Sequence, residues 1–220
     1  MTITTIICAF LGFSLPAQQS HPLNSQLKLA LQQGRWGDAL PLAESIAEKE
    51  DDGKMGLTLV RLSILTNQPQ KAKVHADAVP AEVSGSFELY LVLAHLSAKD
   101  EKAASERLAK AELPKFARRI LTQHTGEPEL VESAVRISLA ESLRKSGLHL
   151  ESNEHLQRPS GHTELEPWRN YCLGLNYSAL RQYPRSVTAL NLALPGLPDP
   201  EARIAKDVIR RNELRTSGTR

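Results

Sequence analysis

The stretch Pro167–Pro198, PWRNYCLGLNYSALRQYPRSVTALNLALPGLP, decides the fold. Its apolar residues return every three or four positions, the period of one helix face, and not every two as along a strand. Small residues stand at set places: Gly174 in the first half, Ala189 and Ala193 in the second. Two antiparallel helices approach closely only where their contact carries small side chains; larger ones, here Tyr177 and Leu190, then fill the space beside it. Pro198 closes the unit, because proline does not extend a helix. The stretch is a helix–turn–helix hairpin.

Working outward, Leu173-Gly174, Tyr177, Tyr183, Ala189-Leu190, Ala193 and Pro198 together resemble a tetratricopeptide repeat, a helix–turn–helix module of about 34 residues. Ser186 occupies the place where that family prefers Ala, and Asn170 the place where it prefers Trp. A second unit resembling the repeat spans residues 24–47, where Leu27 and Ala30 lead into GRWGDAL (34–40) and then Ala43 and Ile46. Pro41 is expected in about the first turn of the second helix, where a missing N–H costs little.

Ala39 then serves as a ruler. Ala72 follows it by 33 residues, Ala104 by a further 32, Ser152 by 48 and Ser186 by 34. The long interval contains Pro114 to Pro128, with HTGEP as a turn signal, and is read as an extra helix over about 114–123. Between these marks Leu57, Val60, Ile64 and Leu65, and again Leu89, Leu93 and Leu96, keep helical spacing. Residues 201–215, with Ile204, Val208 and Ile209, read as a polar-backed capping helix. The expected fold is therefore all-α. The resemblance implies a repeat solenoid of about five helix pairs plus the capping helix over residues 20–215, with a flexible tail at 216–220.

Residues 2–15 are uncharged and largely apolar, and Pro16-Ala17-Gln18 follows. That pattern predicts a signal peptide over residues 1–17 and a periplasmic or secreted protein, although no Lys or Arg precedes the run. The alternative is a first helix of a cytoplasmic protein. No segment reaches the ~18 apolar residues of a membrane span, so stable insertion of the mature chain is not expected. Cleavage would remove Cys8 and leave Cys172 alone, which excludes an intramolecular disulfide or a multi-cysteine metal site.

Composition excludes further classes. The 220 residues are 41% apolar and 24% charged, ordinary for a folded protein, and only 5% aromatic, which suits packed aliphatic helices. With 27 basic against 25 acidic residues the net charge is +2, without the basic excess of a nucleic-acid binder. The local excess near the C-terminus (Arg203, Lys206, Arg210, Arg211, Arg215 and Arg220) reads as a solvated helix face.

A convergent catalytic site is not evident. His149, Glu154 and His155 in HLESNEH lack zinc-protease spacing and read as polar residues of a solvated helix. No phosphate loop and no GxSxG occur, Cys172 reads as a packing residue, and no cofactor is expected. The expected function is non-enzymatic: a protein–protein interaction scaffold or adaptor with a protein or peptide partner. An exported all-α enzyme, or a regulatory subunit of one, is the alternative. The resemblance puts groove-lining places at Trp168, Tyr171, Leu175 and Ser178, at Ile137, Glu141, Arg144 and Lys145, and at Arg61 and Ile64. Trp and Tyr suit such places because they bury much area with few rotatable bonds.

Overall fold

The computed structural model describes residues 22–49, 53–79, 86–123 and 127–217, and these form helices with no strand among them. The protein is all-α in its described residues. It divides into two compact units, residues 1–112 and 113–220.

The first unit holds α1 (Pro22–Gln32), α2 (Trp36–Ala47), α3 (Gly53–Leu65), α4 (Pro69–Ala78), α5 (Ser86–Ser97) and α6 (Glu101–Leu108). The second holds α7 (Lys115–Gln123), α8 (Pro128–Lys145), α9 (His149–His155), α10 (Glu166–Ala179), α11 (Tyr183–Ala193), a 3-10 turn at Leu194–Gly196, and α12 (Asp199–Ser217).

Five pairs of neighbouring helices, α1/α2, α3/α4, α5/α6, α8/α9 and α10/α11, close through one kind of turn. Each first helix ends on a residue in the left-handed region: Gly34 (φ 68°), Asn67 (56°), Lys99 (61°), Gly147 (81°) and Arg181 (60°). The next N–H reaches back five residues: Arg35 to Ala30 O, Gln68 to Ser63 O, Asp100 to His95 O, Leu148 to Leu143 O and Gln182 to Tyr177 O. These bonds satisfy carbonyls that a helix end otherwise leaves without partners, and the left-handed residue reverses the chain. Five positions beyond each left-handed residue stand Ala39, Ala72, Ala104, Ser152 and Ser186. Each is at most 2% exposed, and the two serines bond back onto the preceding helix. The intervals along the sequence are thus the intervals between identical turns.

Local sequence sets the helix starts. Proline occupies the first turn of α4, α8, α10 and α11, where its absent N–H is not needed. Asp100 caps α6 by accepting the Ala103 N–H at 3.2 Å. Pro41, however, lies inside α2 and not in its first turn. It leaves the carbonyl four residues back, on Gly37, without its helical partner. The extra helix between Ala104 and Ser152 is α7, and the terminal helix runs two residues beyond the expected 201–215 at each end. Thr216 and Ser217 belong to it and not to a tail, while 218–220 and the expected signal segment 1–17 lie outside the described residues.

Packing follows side-chain size. In the first unit Leu27, Ala30, Leu40, Ala43, Ile46, Met55, Leu59 and Leu62 form one core. Helix α5 is buried at every position from Leu89 to His95, as a helix apolar all round must be. In the second unit Gly174 of α10 meets Leu190 of α11 so closely that an added Cβ would lie 2.4 Å from Leu190 Cγ. Gly196 likewise lets the 3-10 turn close over Pro167, where a Cβ would come within 2.2 Å of its ring.

Candidate functional site

A chain of buried polar side chains runs through the second unit. Ser152 Oγ donates to Ala140 O at 2.7 Å, and Ser186 Oγ repeats this toward Gly174 O at 2.7 Å, 34 residues on. Each serine ties its helix to the first helix of its own hairpin. Each then accepts from an asparagine of the following helix: Asn176 Nδ2 to Ser152 Oγ at 2.8 Å, Asn212 Nδ2 to Ser186 Oγ at 2.9 Å. Asn176 Nδ2 also donates to Asn153 Oδ1 at 2.9 Å, and its Oδ1 stands 3.0 Å from His149 Nδ1, which carries the donated proton. Asn176 and Asn212 are 0% and 1% exposed, where a polar group must be fully bonded to be tolerated.

This arrangement corrects the reading of HLESNEH. Helix α9 packs on both α8 and α10, and Glu151, Ser152, Asn153 and His155 are buried while Glu154 is exposed. Of the three residues read as solvated, Glu154 is, His149 is half-buried and His155 is interior, and the buried side of the helix joins neighbouring helices. Sequence reasoning missed Asn176 and Asn212, although each falls within the apolar stripe of its helix. Asn212 follows Ala205, Val208 and Ile209 at helical spacing.

Of the eight groove places expected in this unit, three are interior. Trp168, Tyr171 and Ile137 are 9%, 6% and 2% exposed. Trp168 is covered because the Phe116 ring of α7 stacks on it, centroids 4.3 Å apart and planes 14° from parallel. Tyr171 meets the edge of Trp168 at 6.4 Å, and burial pushes its hydroxyl up to about 12. They are packing residues in this state, and do not present open anchors. Leu175 and Ser178 are half-buried, and Ser178 Oγ donates to Asn212 Oδ1 at 3.2 Å. Glu141 and Arg144 are half-buried and Lys145 is exposed, with Lys145 Nζ 2.9 Å from Glu141 Oε1. Behind them Cys172 is buried, and desolvation pushes its thiol up to about 12, so it is protonated and inert.

The connection from α9 to α10 is pinned by Arg169, whose Nε donates to Leu156 O at 2.8 Å and Arg158 O at 2.9 Å. Its Nη1 lies 3.2 Å from Glu166 Oε2. Burial raises the Glu166 carboxyl, but bonds from Ser160 and Arg169 outweigh it and hold the group below its ordinary value.

In the first unit Arg61 is buried and Ile64 half-buried, so Arg61 does not stand open to a partner. The charged cluster there centres on His95, 2% exposed, with Asp77 Oδ1 and Asp100 Oδ2 each 3.9 Å from one ring nitrogen. Lys73 bridges the two carboxylates at 2.8 and 3.1 Å. Burial lowers the His95 pKa, Lys73 and Arg107 add to that, and the carboxylates only partly oppose it.

Among the described residues, no group of three or more His, Cys, Asp or Glu side chains is placed to hold a metal ion. No helix among them is long and apolar enough to cross a membrane. No family model matches the chain, and comparison with curated proteins and with solved structures yields no similar chain.

Proposed function

We propose that the chain is a non-enzymatic scaffold or adaptor built from tetratricopeptide-like helix pairs, exported through the segment at residues 1–17, that holds a protein or peptide. The observation that carries this reading is the fivefold recurrence of one turn with a buried small residue five positions later. A chain that spends its sequence on repeating one hairpin builds surface by stacking equivalent helices, and such surfaces serve binding. The half-open places on α8 and α10, Glu141, Arg144, Lys145, Leu175 and Ser178, mix charge with an apolar residue, the composition of a polar-rimmed peptide site.

The test compares wild type with a Lys145→Glu, Leu175→Glu double variant of equal helicity. Proteins captured by wild type are identified, purified and titrated against both chains. Affinity lost at least tenfold in the variant supports the scaffold reading, and equal affinity places the partner elsewhere. Turnover of any substrate by the chain alone overturns it. Mass spectrometry of the mature N-terminus tests export, with Gln18 as the expected first residue.

A further inference from the structure

We propose that α7 is a displaceable cover, a built-in stand-in for the partner, whose release uncovers an aromatic docking surface centred on Trp168. The inference rests on the scaffold reading for its purpose but on separate observations for its mechanics.

Helix α7 is what lengthens the interval between ruler positions Ala104 and Ser152, so it is additional to the repeating hairpins. Its sequence, KFARRILTQ, divides cleanly. Phe116, Ala117 and Ile120 are buried, while Lys115, Arg118, Arg119, Thr122 and Gln123 are exposed. The side-chain hydrogen bonds it makes with described residues stay local: Arg118 Nε to Leu113 O at 3.0 Å and Thr122 Oγ1 to Arg118 O at 2.8 Å. No described residue forms an ion pair with Lys115, Arg118 or Arg119. Among the described residues the helix is therefore held on its unit by apolar contact, including the Phe116–Trp168 stack.

Compare α12, which is fixed to α11 by Asn212 bonding Ser186 and to α10 by Ser178 bonding Asn212. Buried hydrogen bonds of that kind resist separation because undocking strands polar groups. Helix α7 has none among the described residues. Isolated helices of nine residues are also unstable in water, so once undocked α7 unfolds and leaves the surface free.

The partner that fits is a helical segment presenting an aromatic residue and, four positions later, a branched aliphatic one, as Phe116 and Ile120 do. An aromatic partner ring would take the place of Phe116 on Trp168.

The test uses the full chain carrying Trp36→Phe, which leaves Trp168 as the tryptophan reporter, with and without Phe116→Ala. The probe is an acetylated, amidated peptide of residues 113–123, LPKFARRILTQ. The expected result is a red-shifted Trp168 emission in the Phe116→Ala chain, reversed saturably by the peptide and not by the same peptide with Ala in place of Phe. Peptide affinity for the chain that keeps Phe116 should be at least tenfold weaker, since α7 competes. A Phe116→Ala chain with native helicity that binds no peptide overturns the proposal.

Should that variant lose its fold, amide exchange on the chain with native Phe116 decides. Residues 115–123 exchanging at least tenfold faster than α8 and α10 support a displaceable helix, and equal protection overturns it. Failure of partner capture, tested through Lys145 and Leu175, would remove the scaffold reading while leaving the peptide result standing. A null peptide result would leave partner capture untouched.

Discussion

Asn176 Nδ2 donates to Ser152 Oγ at 2.8 Å across 24 residues of chain, and in doing so joins one helix hairpin to the next inside an interior sealed from water. Asn212 and Ser186 form the same joint. A serine donating to its own hairpin and accepting from the following helix gives each junction a fixed register, which apolar packing alone leaves freer to slide.

Replacing Asn176 by Ala should cost about 2–3 kcal/mol, because it opens a small void and leaves His149 and Asn153 short of buried partners. Ser152→Ala should cost less. Urea unfolding of both singles and the double should show a coupling of at least about 0.5 kcal/mol. Strict additivity would mean that the two side chains are not an energetic pair.

Two glycines make opposite predictions. An Ala side chain at Gly174 must push Leu190 aside, an overpacking cost of about 1–3 kcal/mol against about 1 kcal/mol of improved helix propensity. Gly174→Ala should therefore lower the thermal midpoint. At Gly37, in the first turn of α2, an added Cβ meets nothing within 4 Å. Gly37→Ala should raise the midpoint by up to a few degrees.

Lys99 and Arg181 hold left-handed backbone angles that disfavour any side chain with a Cβ. Lys99→Gly and Arg181→Gly should each stabilise the chain by about 1 kcal/mol, read from denaturant midpoints. Gly147→Ala, at the equivalent place, should destabilise it by a similar amount. Equal stability across the three variants would show that these turns carry no backbone strain.

His95 predicts a dependence on pH. Its folded pKa lies below the ordinary 6.5 because burial disfavours the imidazolium. The unfolded chain therefore takes up the proton first, so stability is full above pH 6.5 and falls as pH drops, levelling below the folded value. The slope cannot exceed about 1.4 kcal/mol per pH unit for one proton. His95→Gln should flatten the fall of the thermal midpoint between pH 7.5 and 5.5. His75, also lowered chiefly by burial, acts in the same direction. Asp100, held below 3.8 mainly by Lys73, acts only in a more acidic range.

The helices and their pairing were legible because hairpins write themselves in short-range code. Small buried residues at Ala39, Ala72, Ala104, Ser152 and Ser186 each stand five positions beyond an equivalent turn, and their spacing follows directly from those turns. Left-handed Gly34 and Gly147 could be read as turns, but Lys99 and Arg181 carry no such label. The site was less legible. Trp168 and Tyr171 have the side chains of binding anchors, yet both are buried, Trp168 beneath Phe116 from some fifty residues earlier, and no local pattern announces a stack between separate helices. Asn176 stands in the apolar stripe of its own helix, but its partners Ser152 and Asn153 lie on another helix and no local pattern names them.

The recurring turn also bears on how the chain acquires its structure in time. Each hairpin needs only a few residues to reverse direction, so its two helices meet through closure of a short loop, an event on the order of 10–100 ns for about ten residues. A polypeptide emerging residue by residue can complete Trp36–Ala47 against Pro22–Gln32 before the third helix exists. The Asn–Ser joints form later, when the following helix arrives. Each hairpin can thus close before its successor arrives, so assembly can follow the order in which the chain emerges.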